Sequence, residues 1–136
     1  MPDKVVLDSS IIAAIFFKDA QIEMARKAIE TSSLITVDLA AAETANVAWK
    51  KITFFDESRD TIIKALKRSI DFIYGACEVL QHKELLDDAF KIAIEDNITI
   101  YDAFFVAASD REKVTLLTTD RKLYGKIKGS RDVKLI

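Results

Sequence analysis

Glycine, proline, cysteine and histidine are scarce in this chain, and each shortage argues against a class of structure or chemistry. One proline and three glycines among 136 residues leave little room for linkers or for a glycine-rich phosphate loop. The one cysteine, Cys77, excludes an intrachain disulfide. The one histidine, His82, falls in a helical pattern where we expect it to be exposed, which argues against histidine-based catalysis and histidine-ligated zinc.

An excess of charge of one sign is also missing, since 20 basic residues face 22 acidic ones and the net charge is −2. Bulk charge therefore does not predict nucleic-acid binding, and any such site must depend on a local patch. A composition that is 50% hydrophobic and 31% charged predicts one globular domain over residues 1–136. No apolar run approaches the roughly 20 residues of a membrane span, and no secretory signal is seen, so we expect a cytoplasmic protein.

Short β-rich runs alternate with longer helical patterns along the chain. The runs predict strands near 4–8, 34–37, 98–101, 115–119 and 132–136. The patterns predict helices over about 10–17, 20–31, 39–52, 57–74, 78–96, 102–112 and 120–128. Strands that alternate with helices predict a three-layer α/β/α fold around a parallel sheet. The segment 39–96 is expected to be a helical insertion without a strand.

Acidic residues stand at the ends of three of these apolar runs, namely Asp8, Asp102 and Asp120. Because the carboxyl ends of parallel strands share one edge of a sheet, we expect these acids to converge. Glu43 lies about one turn into an alanine-rich helix, a setting that surface exposure explains poorly. Four carboxylates in one pocket would repel strongly, and a divalent metal ion is the simplest way to make them tolerable.

Each of these acids also has a purely structural explanation. Asp8, Asp102 and Asp120 stand where helices begin, and aspartate is a favoured N-cap. Glu43 in a first turn interacts well with the helix dipole. The two roles are compatible, since a capping carboxylate can turn one oxygen to a metal. Asp38 ends a strand as well, and we interpret it as the cap of the helix that carries Glu43 rather than as a ligand.

Polar neighbours of the acids are the candidates for accessory roles. Ser10 and Thr118 are small hydroxyls that can bond a carboxylate, a metal-bound water or a phosphate, although a local structural role is the simpler interpretation. Asn46 follows Glu43 by one turn on the same helix face. Oxygen ligands without a soft partner favour Mg²⁺ or Mn²⁺, which activate water and stabilise charge on a phosphodiester.

The order and spacing of these motifs resemble those of the PIN-domain ribonucleases, and within them the VapC-type toxins of toxin–antitoxin pairs. The motifs, spread over essentially the whole chain, are Leu7-Asp8-Ser9-Ser10, Ala42-Glu43-Thr44-Ala45-Asn46, Tyr101-Asp102-Ala103 and Leu116-Leu117-Thr118-Thr119-Asp120-Arg121-Lys122-Leu123. The resemblance implies a five-stranded parallel sheet between helices. It also implies a Mg²⁺ or Mn²⁺ pocket that cuts RNA, with the ligands Asp8, Glu43, Asp102 and Asp120.

The same resemblance implies two protein partners. One is a second copy of the chain in a homodimer. The other is a small antitoxin whose C-terminal segment lies across the helical insertion and blocks the pocket. Some family members carry a further acid shortly after the fourth, and this chain reads Arg121-Lys122-Leu123-Tyr124 there. A fifth ligand is therefore absent from that position.

Contact with RNA requires basic side chains near the acids, because a carboxylate cluster repels phosphate. The candidates are Lys50, Lys51, Arg121 and Lys122. Two rival functions stay open at this point. One is a PIN-like module that binds a protein or RNA without cutting. The other is a phosphohydrolase with an aspartyl-phosphate intermediate, although such enzymes usually place a second aspartate where this chain has Ser10.

Overall fold

Five short strands form the centre of the fold, which a computed structural model describes for residues 3–18 and 22–136. The strands are β1 (Lys4–Leu7), β2 (Ser33–Val37), β3 (Cys77–Leu80), β4 (Thr115–Thr118) and β5 (Val133–Leu135). All neighbouring pairs are parallel, in the order β3-β2-β1-β4-β5. The expected α/β fold with a parallel sheet is therefore confirmed.

Helices connect the strands and cover the sheet. In the described residues they are α1 (Ser9–Phe16), α2 (Ile22–Ile29), α3 (Leu39–Thr53), α4 (Arg59–Ala76), α5 (His82–Asp96), α6 (Ile100–Glu112) and α7 (Arg121–Ile127). The start of the predicted helix over 20–31 lies outside the described residues. None of the helices just given is long and apolar enough to cross a membrane.

The predicted strand over 98–101 is wrong, because this segment begins a helix. Asn97 ends α5 in the left-handed conformation, with φ of 54°, and Thr99 is the N-cap of α6. The Thr99 hydroxyl accepts a hydrogen bond from the Asp102 N–H at 3.1 Å. The flanking residues Ile98 and Ile100 are partly buried against the core, so an apolar helix entrance produced the same short pattern as a strand.

The prediction of a strand-free insertion over 39–96 is also wrong. Cys77–Leu80 forms the edge strand β3, which pairs with β2 so that Leu34 lies opposite Cys77. This strand has only four residues and follows α4 with no intervening loop. The sequence pattern over 78–96 therefore predicted a helix where most of this strand lies. The resemblance implied five strands correctly, but β3 takes the place of the run at 98–101.

The core is centred on β1 and α6. Val6 and Leu7 of β1 are fully buried, and so is Phe105 of α6. Every residue of α6 from Ala103 to Ser109 is buried, so this helix is enclosed on nearly all sides. Burial of large apolar side chains contributes about 1.5–3 kcal/mol each. The position of α6, and hence of its N-terminal turn, is therefore fixed by packing.

Candidate active site

The carboxyl ends of β1 and β4 meet where the order of the strands reverses. The chain builds β1, β2 and β3 toward one edge and then returns to place β4 on the other side of β1. The register sets Leu7 opposite Leu117, and the Asp8 N–H donates to the Leu117 carbonyl at 3.3 Å. Such a reversal point is the usual position of a ligand site in an open α/β sheet.

Asp8 directly follows β1 and caps α1. Its Oδ1 accepts hydrogen bonds from the N–H groups of Ser10 at 3.0 Å and Ile11 at 3.3 Å. The Ser10 hydroxyl donates to the same oxygen at 2.5 Å. Asp8 is only 5% exposed, so the site begins with a buried carboxylate whose one oxygen is held by the helix that follows.

Hydroxyl groups connect the end of β1 to the end of β4. The Ser10 oxygen accepts a hydrogen bond from the Thr119 N–H at 2.9 Å and lies 3.4 Å from the Thr118 hydroxyl. Thr118 in turn accepts a bond from the Asp120 N–H at 3.0 Å. Ser10 and Thr118 thus lie between Asp8 and Asp120, where sequence reasoning expected them.

Asp120 occupies the position after β4 that corresponds to Asp8 after β1. Its Oδ1 caps α7 by accepting from the N–H groups of Lys122 and Leu123, both at 3.0 Å. Unlike Asp8, this residue is exposed. Asp120 therefore has the predicted dual geometry, with one oxygen bound to a helix and the residue at the open side of the site.

Glu43 enters the site from α3 and is half-buried. Its Oε1 accepts a hydrogen bond from the Ser9 hydroxyl at 2.9 Å, over 34 positions of sequence. Sequence reasoning selected Ser10 as the accessory hydroxyl and missed Ser9. The available signal was the adjacency of Ser9 to Asp8, since a residue that opens α1 beside the first acid must also lie near the site.

Asp102 reaches the site by a different route from the one expected. It lies in the first turn of α6 instead of at a strand end, and Thr99 rather than Asp102 is the N-cap. Asp102 nevertheless is the central carboxylate, because it interacts electrostatically with Asp8, Glu43 and Asp120. Three acids from α3 and from the ends of β1 and β4 are thus within electrostatic reach of the buried helix α6.

Burial is the main reason why the carboxyl groups of Asp8 and Glu43 hold their protons more tightly than usual. Burial raises the pKa of Asp8 to about 6, although hydrogen bonds from Ser10 and Thr118 oppose the rise. Burial also raises the pKa of Glu43, and repulsion from Asp102 adds to this, while the Ser9 hydroxyl opposes it. A positive charge beside these groups would therefore stabilise their anionic forms and lower their pKa values.

The pKa of Asp102 is raised first by burial and then by repulsion from Asp120. Two groups oppose the rise, the hydrogen bond with Thr99 and the positive charge of Lys126. The Lys126 Nζ donates to the Asn97 carbonyl at 2.9 Å, which holds the ammonium near the site. Sequence reasoning missed Lys126, because its distance from the acids depends on how α7 packs and no motif marks it.

Asp38 follows β2 as Asp8 follows β1, but its carboxylate serves another helix. It is the N-cap residue of the Glu43 helix α3, as expected, but its side chain makes no hydrogen bond to that helix. Its Oδ1 accepts instead from the His82 N–H at 2.9 Å and lies 2.8 Å from His82 Nδ1. Asp38 therefore caps α5, which begins beside β2 because β3 pairs there. His82 is exposed as expected.

The basic residues proposed for RNA contact differ in their surroundings. Lys50 is exposed on α3, and Arg121 and Lys122 are exposed in the first turn of α7, directly after Asp120. Lys51 is only partly exposed and forms an ion pair with Glu57 at 3.4 Å. Lys51 is therefore engaged in holding the end of α3, whereas the other three face solvent.

The donor set fits a hard divalent cation. Carboxylate and hydroxyl oxygens are the ligands that Mg²⁺ and Mn²⁺ take in proteins, and a cation would offset the burial that raises the pKa values of Asp8, Glu43 and Asp102. Within residues 3–18 and 22–136, no three acidic, histidine or cysteine side chains are already gathered closely enough to hold one ion. Ligation would therefore draw the side chains inward from their present positions.

The fold and the acidic residues near the carboxyl ends of β1 and β4 together indicate the family to which the protein belongs. The chain belongs to the PIN-domain family, which matches residues 5–128, and within that family it is of the VapC type. Ribonuclease VapC3 of Pyrobaculum aerophilum is 36% identical over 121 residues, which cover 88% of this chain and 92% of that relative.

Solved structures share the fold of this chain. A Pyrobaculum aerophilum protein of known crystal structure superposes with a TM-score of 0.72 and 26% identity, over 95% of this chain and 90% of that one. A toxin–antitoxin complex from Klebsiella pneumoniae contains a chain with a TM-score of 0.69 and 15% identity, over 96% and 95% of the two chains. At that identity the second likeness shows the fold alone.

The raised pKa of Asp8 predicts how stability depends on pH when no metal is present. The folded chain binds the Asp8 proton with a pKa of about 6, against an ordinary value of 3.8. The folded state therefore holds more protons between these values, and the free energy of unfolding falls as pH rises through this window. Asp8→Asn carries no charge and keeps a favoured N-cap. Above pH 6 we therefore expect its free energy of unfolding to exceed that of the wild type by up to about 3 kcal/mol.

Urea unfolding in chelator at about pH 4, 6 and 8 measures this difference. We expect the advantage of Asp8→Asn to be present at the two higher pH values and absent at the lowest. A variant that is less stable than the wild type at pH 8 would contradict the assignment of Asp8 as a buried, uncompensated acid.

Proposed function

We propose that this chain is a metal-dependent endoribonuclease. The observation that carries the proposal is the group of four carboxylates from separate elements, in which Asp102 interacts with each of the other three. Membership of the PIN-domain family and 36% identity to a protein named as a ribonuclease support the nuclease class.

Four residues would hold Mg²⁺ or Mn²⁺, namely Asp8, Glu43, Asp102 and Asp120. The bound ion would supply a water of lowered pKa and would stabilise negative charge on the phosphodiester. Ser10 and Thr118 keep Asp8 and Asp120 in register, and Ser9 holds Glu43. Arg121, Lys122 and Lys50, which are exposed, would attract the RNA backbone toward an edge that is otherwise negative.

The rival functions explain the site less well. A module that only binds has no use for carboxylates whose burial and mutual repulsion raise their pKa values. A phosphohydrolase that forms an aspartyl-phosphate usually has a second aspartate two residues after the first. Here that residue is Ser10, and its hydroxyl is already bonded to Asp8.

Cleavage of a circular single-stranded RNA tests the main proposal, because a circle offers no end to an exonuclease. We expect cutting with Mg²⁺ or Mn²⁺, none with chelator, and a loss of at least about 100-fold in Asp8→Asn and Asp102→Asn, since metal ligation contributes several kcal/mol to such reactions. Asp38→Asn is the matched control. It also follows a strand but caps α5, so it should keep its activity.

Three outcomes would contradict the proposal. RNA cleavage by purified Asp8→Asn at the wild-type rate would contradict the assignment of the acids as metal ligands. Tight binding of RNA without cutting under any divalent ion would favour the binding module. Turnover of a phosphate monoester without RNA cleavage would favour the phosphohydrolase.

We also propose a small antitoxin as a partner that covers α3 and α4. The support is the likeness to the chain in the Klebsiella toxin–antitoxin complex, together with exposed aromatic residues at the end of α3. Phe54 and Phe55 are 65% and 70% exposed, and a groove between the end of α1 and helix α4 is lined by Phe17, Lys18 and Arg68 among others. Apolar area rimmed by charge is typical of a protein-binding surface.

Inhibition by the protein from any small open reading frame that adjoins this gene tests the antitoxin proposal. We expect an equimolar amount to stop RNA cleavage. Phe55→Ala should raise the concentration needed for half inhibition by about tenfold, relative to that variant's own uninhibited rate, because buried aromatic anchors contribute more than 1 kcal/mol. Phe90→Ala on α5 is the control. Equal inhibition of both variants would place the partner elsewhere.

A homodimer is the third part of the proposal, and α5 offers the surface. Leu86, Phe90 and Ile94 recur every fourth residue and are 48%, 60% and 68% exposed. Asp87 and Lys91 flank this stripe with opposite charges. A two-fold interface brings the same patch together from both copies, so each Asp87 can meet the other copy's Lys91.

Analytical ultracentrifugation tests the dimer. We expect the wild type to sediment as two chains and Phe90→Glu as one, because a carboxylate in the centre of the stripe would be buried without a partner. Phe55→Glu places the same charge on another exposed phenylalanine, at 70% against 60% for Phe90, away from α5, and should leave the mass unchanged. Dissociation by Phe55→Glu rather than Phe90→Glu would move the interface to α3.

A further inference from the structure

A cavity of about 380 Å³ lies beside the acids, between α3 and the start of α6. Its apolar lining comes from Leu39, Ala42 and Val47 of α3. Its polar lining includes Glu43 and Asn46 of the same helix, with Tyr101 opposite. The volume is within the range of cavities that hold small organic ligands. Since Glu43 lines this cavity and also interacts with Asp102, the cavity is continuous with the acidic site.

Tyr101 is the first unusual part of the cavity. Its side chain is 57% exposed, although it directly precedes Asp102 at the entrance to the most buried helix of the fold. Packing of α6 therefore does not account for an aromatic ring at this position. An exposed ring beside an apolar wall provides a stacking surface, and stacking on aromatic side chains is how proteins hold unpaired bases.

Asn46 is the second part. It is exposed on α3, one turn after Glu43, and contributes to the cavity lining. A carboxamide presents a hydrogen-bond donor and an acceptor side by side, as the edge of a nucleobase does. An apolar floor, an aromatic wall and one carboxamide together match a flat heterocycle with a polar edge better than they match a phosphate or a sugar.

The charges around the cavity indicate in which direction a bound RNA strand would run. Glu43 repels phosphate at the inner end of the cavity. Lys50 lies on α3 one turn beyond Asn46, is exposed, and offers a positive charge at the outer end. A nucleotide whose base enters the cavity would thus have its backbone running from the acids toward Lys50. Its base must be unpaired, because a base in a duplex is stacked and paired inside the helix.

We propose that this cavity is a subsite for one unpaired nucleobase next to the phosphodiester that is cut. The subsite rests on the proposed ribonuclease function and assigns to two residues of this chain the selection of the base beside the bond that is cut. Tyr101 stacks on the base, and Asn46 reads its edge. The cation that the acids would hold then faces the adjoining phosphate, so selection of the base and placement of the bond occur together.

Binding of short RNA to the cleavage-dead Asp8→Asn chain tests the subsite without depending on turnover. The probe is a single-stranded RNA in which 2-aminopurine replaces one base at a time. We expect one position to lose fluorescence on binding, because its base stacks on a ring. Adding Tyr101→Ala should abolish that quenching and raise Kd by about 5- to 100-fold. Tyr101→Phe should recover most of the affinity, since it keeps the ring.

Tyr74→Ala in the same background is the matched control. Tyr74 is a tyrosine of nearly equal exposure, 58%, and it lies on α4 outside the cavity lining. We expect this variant to bind as tightly as its parent. Asn46→Ala should change the relative affinities for RNAs that differ only at the quenched position. Tyr101→Ala, in contrast, should weaken all of them.

The outcomes separate the subsite from the wider proposal. Equal affinity of Tyr101→Ala and Tyr74→Ala, or equally tight binding of duplex RNA, would overturn the subsite while leaving cleavage by the acids intact. Tyr101-dependent binding by a chain that never cuts RNA would retain the subsite and overturn the nuclease. A loss of antitoxin binding alone in Tyr101→Ala would assign the cavity to a protein side chain and overturn the proposal.

Discussion

The parallel register of β1 against β4 is the constraint on which the site depends. It places Leu7 opposite Leu117, and it lets the Asp8 amide continue the pairing onto the Leu117 carbonyl. Side chains alternate between the two faces of a strand, so a slip of one residue would break every bond that ties Ser10 to the end of β4. The apolar residues that fix the pairing of these strands therefore also fix the position of the acids. The same register of β1 against β4 is needed for the stability of the sheet and for the geometry of the site.

The second requirement is a rigid support for a carboxylate that has no strand behind it. Asp102 is held by α6, whose residues from Ala103 to Ser109 are all buried. This support keeps Asp102 within reach of the other three acids although burial and repulsion both raise its pKa. The Lys126 ammonium, fixed on the Asn97 carbonyl, offsets part of that cost. Packing of the core thus holds the four carboxylates close together although they repel one another.

Parts of this arrangement were predictable from sequence, for identifiable reasons. Asp8 and Asp120 follow short buried strands. A run of alternating or fully apolar residues marks such a strand within a few positions of sequence, so the acids that follow could be found. Asp102 was placed in the site for the wrong reason, because an apolar helix entrance at Ile98 and Ile100 has the same local pattern as a strand. The edge strand β3 was missed because four residues joined directly to a helix leave no separate pattern.

Other features depend on contacts between distant parts of the chain and leave no local signal. The Asp38 cap on α5 and the Ser9 bond to Glu43 each join residues at least 34 positions apart. One detail of the caps has a wider consequence. Asp8 and Asp120 receive their capping bonds on Oδ1, so Oδ2 can turn to an ion without uncapping a helix. The starts of α1 and α7 therefore stay capped whether or not an ion is bound, because the capping bonds occupy the other oxygen of each carboxylate.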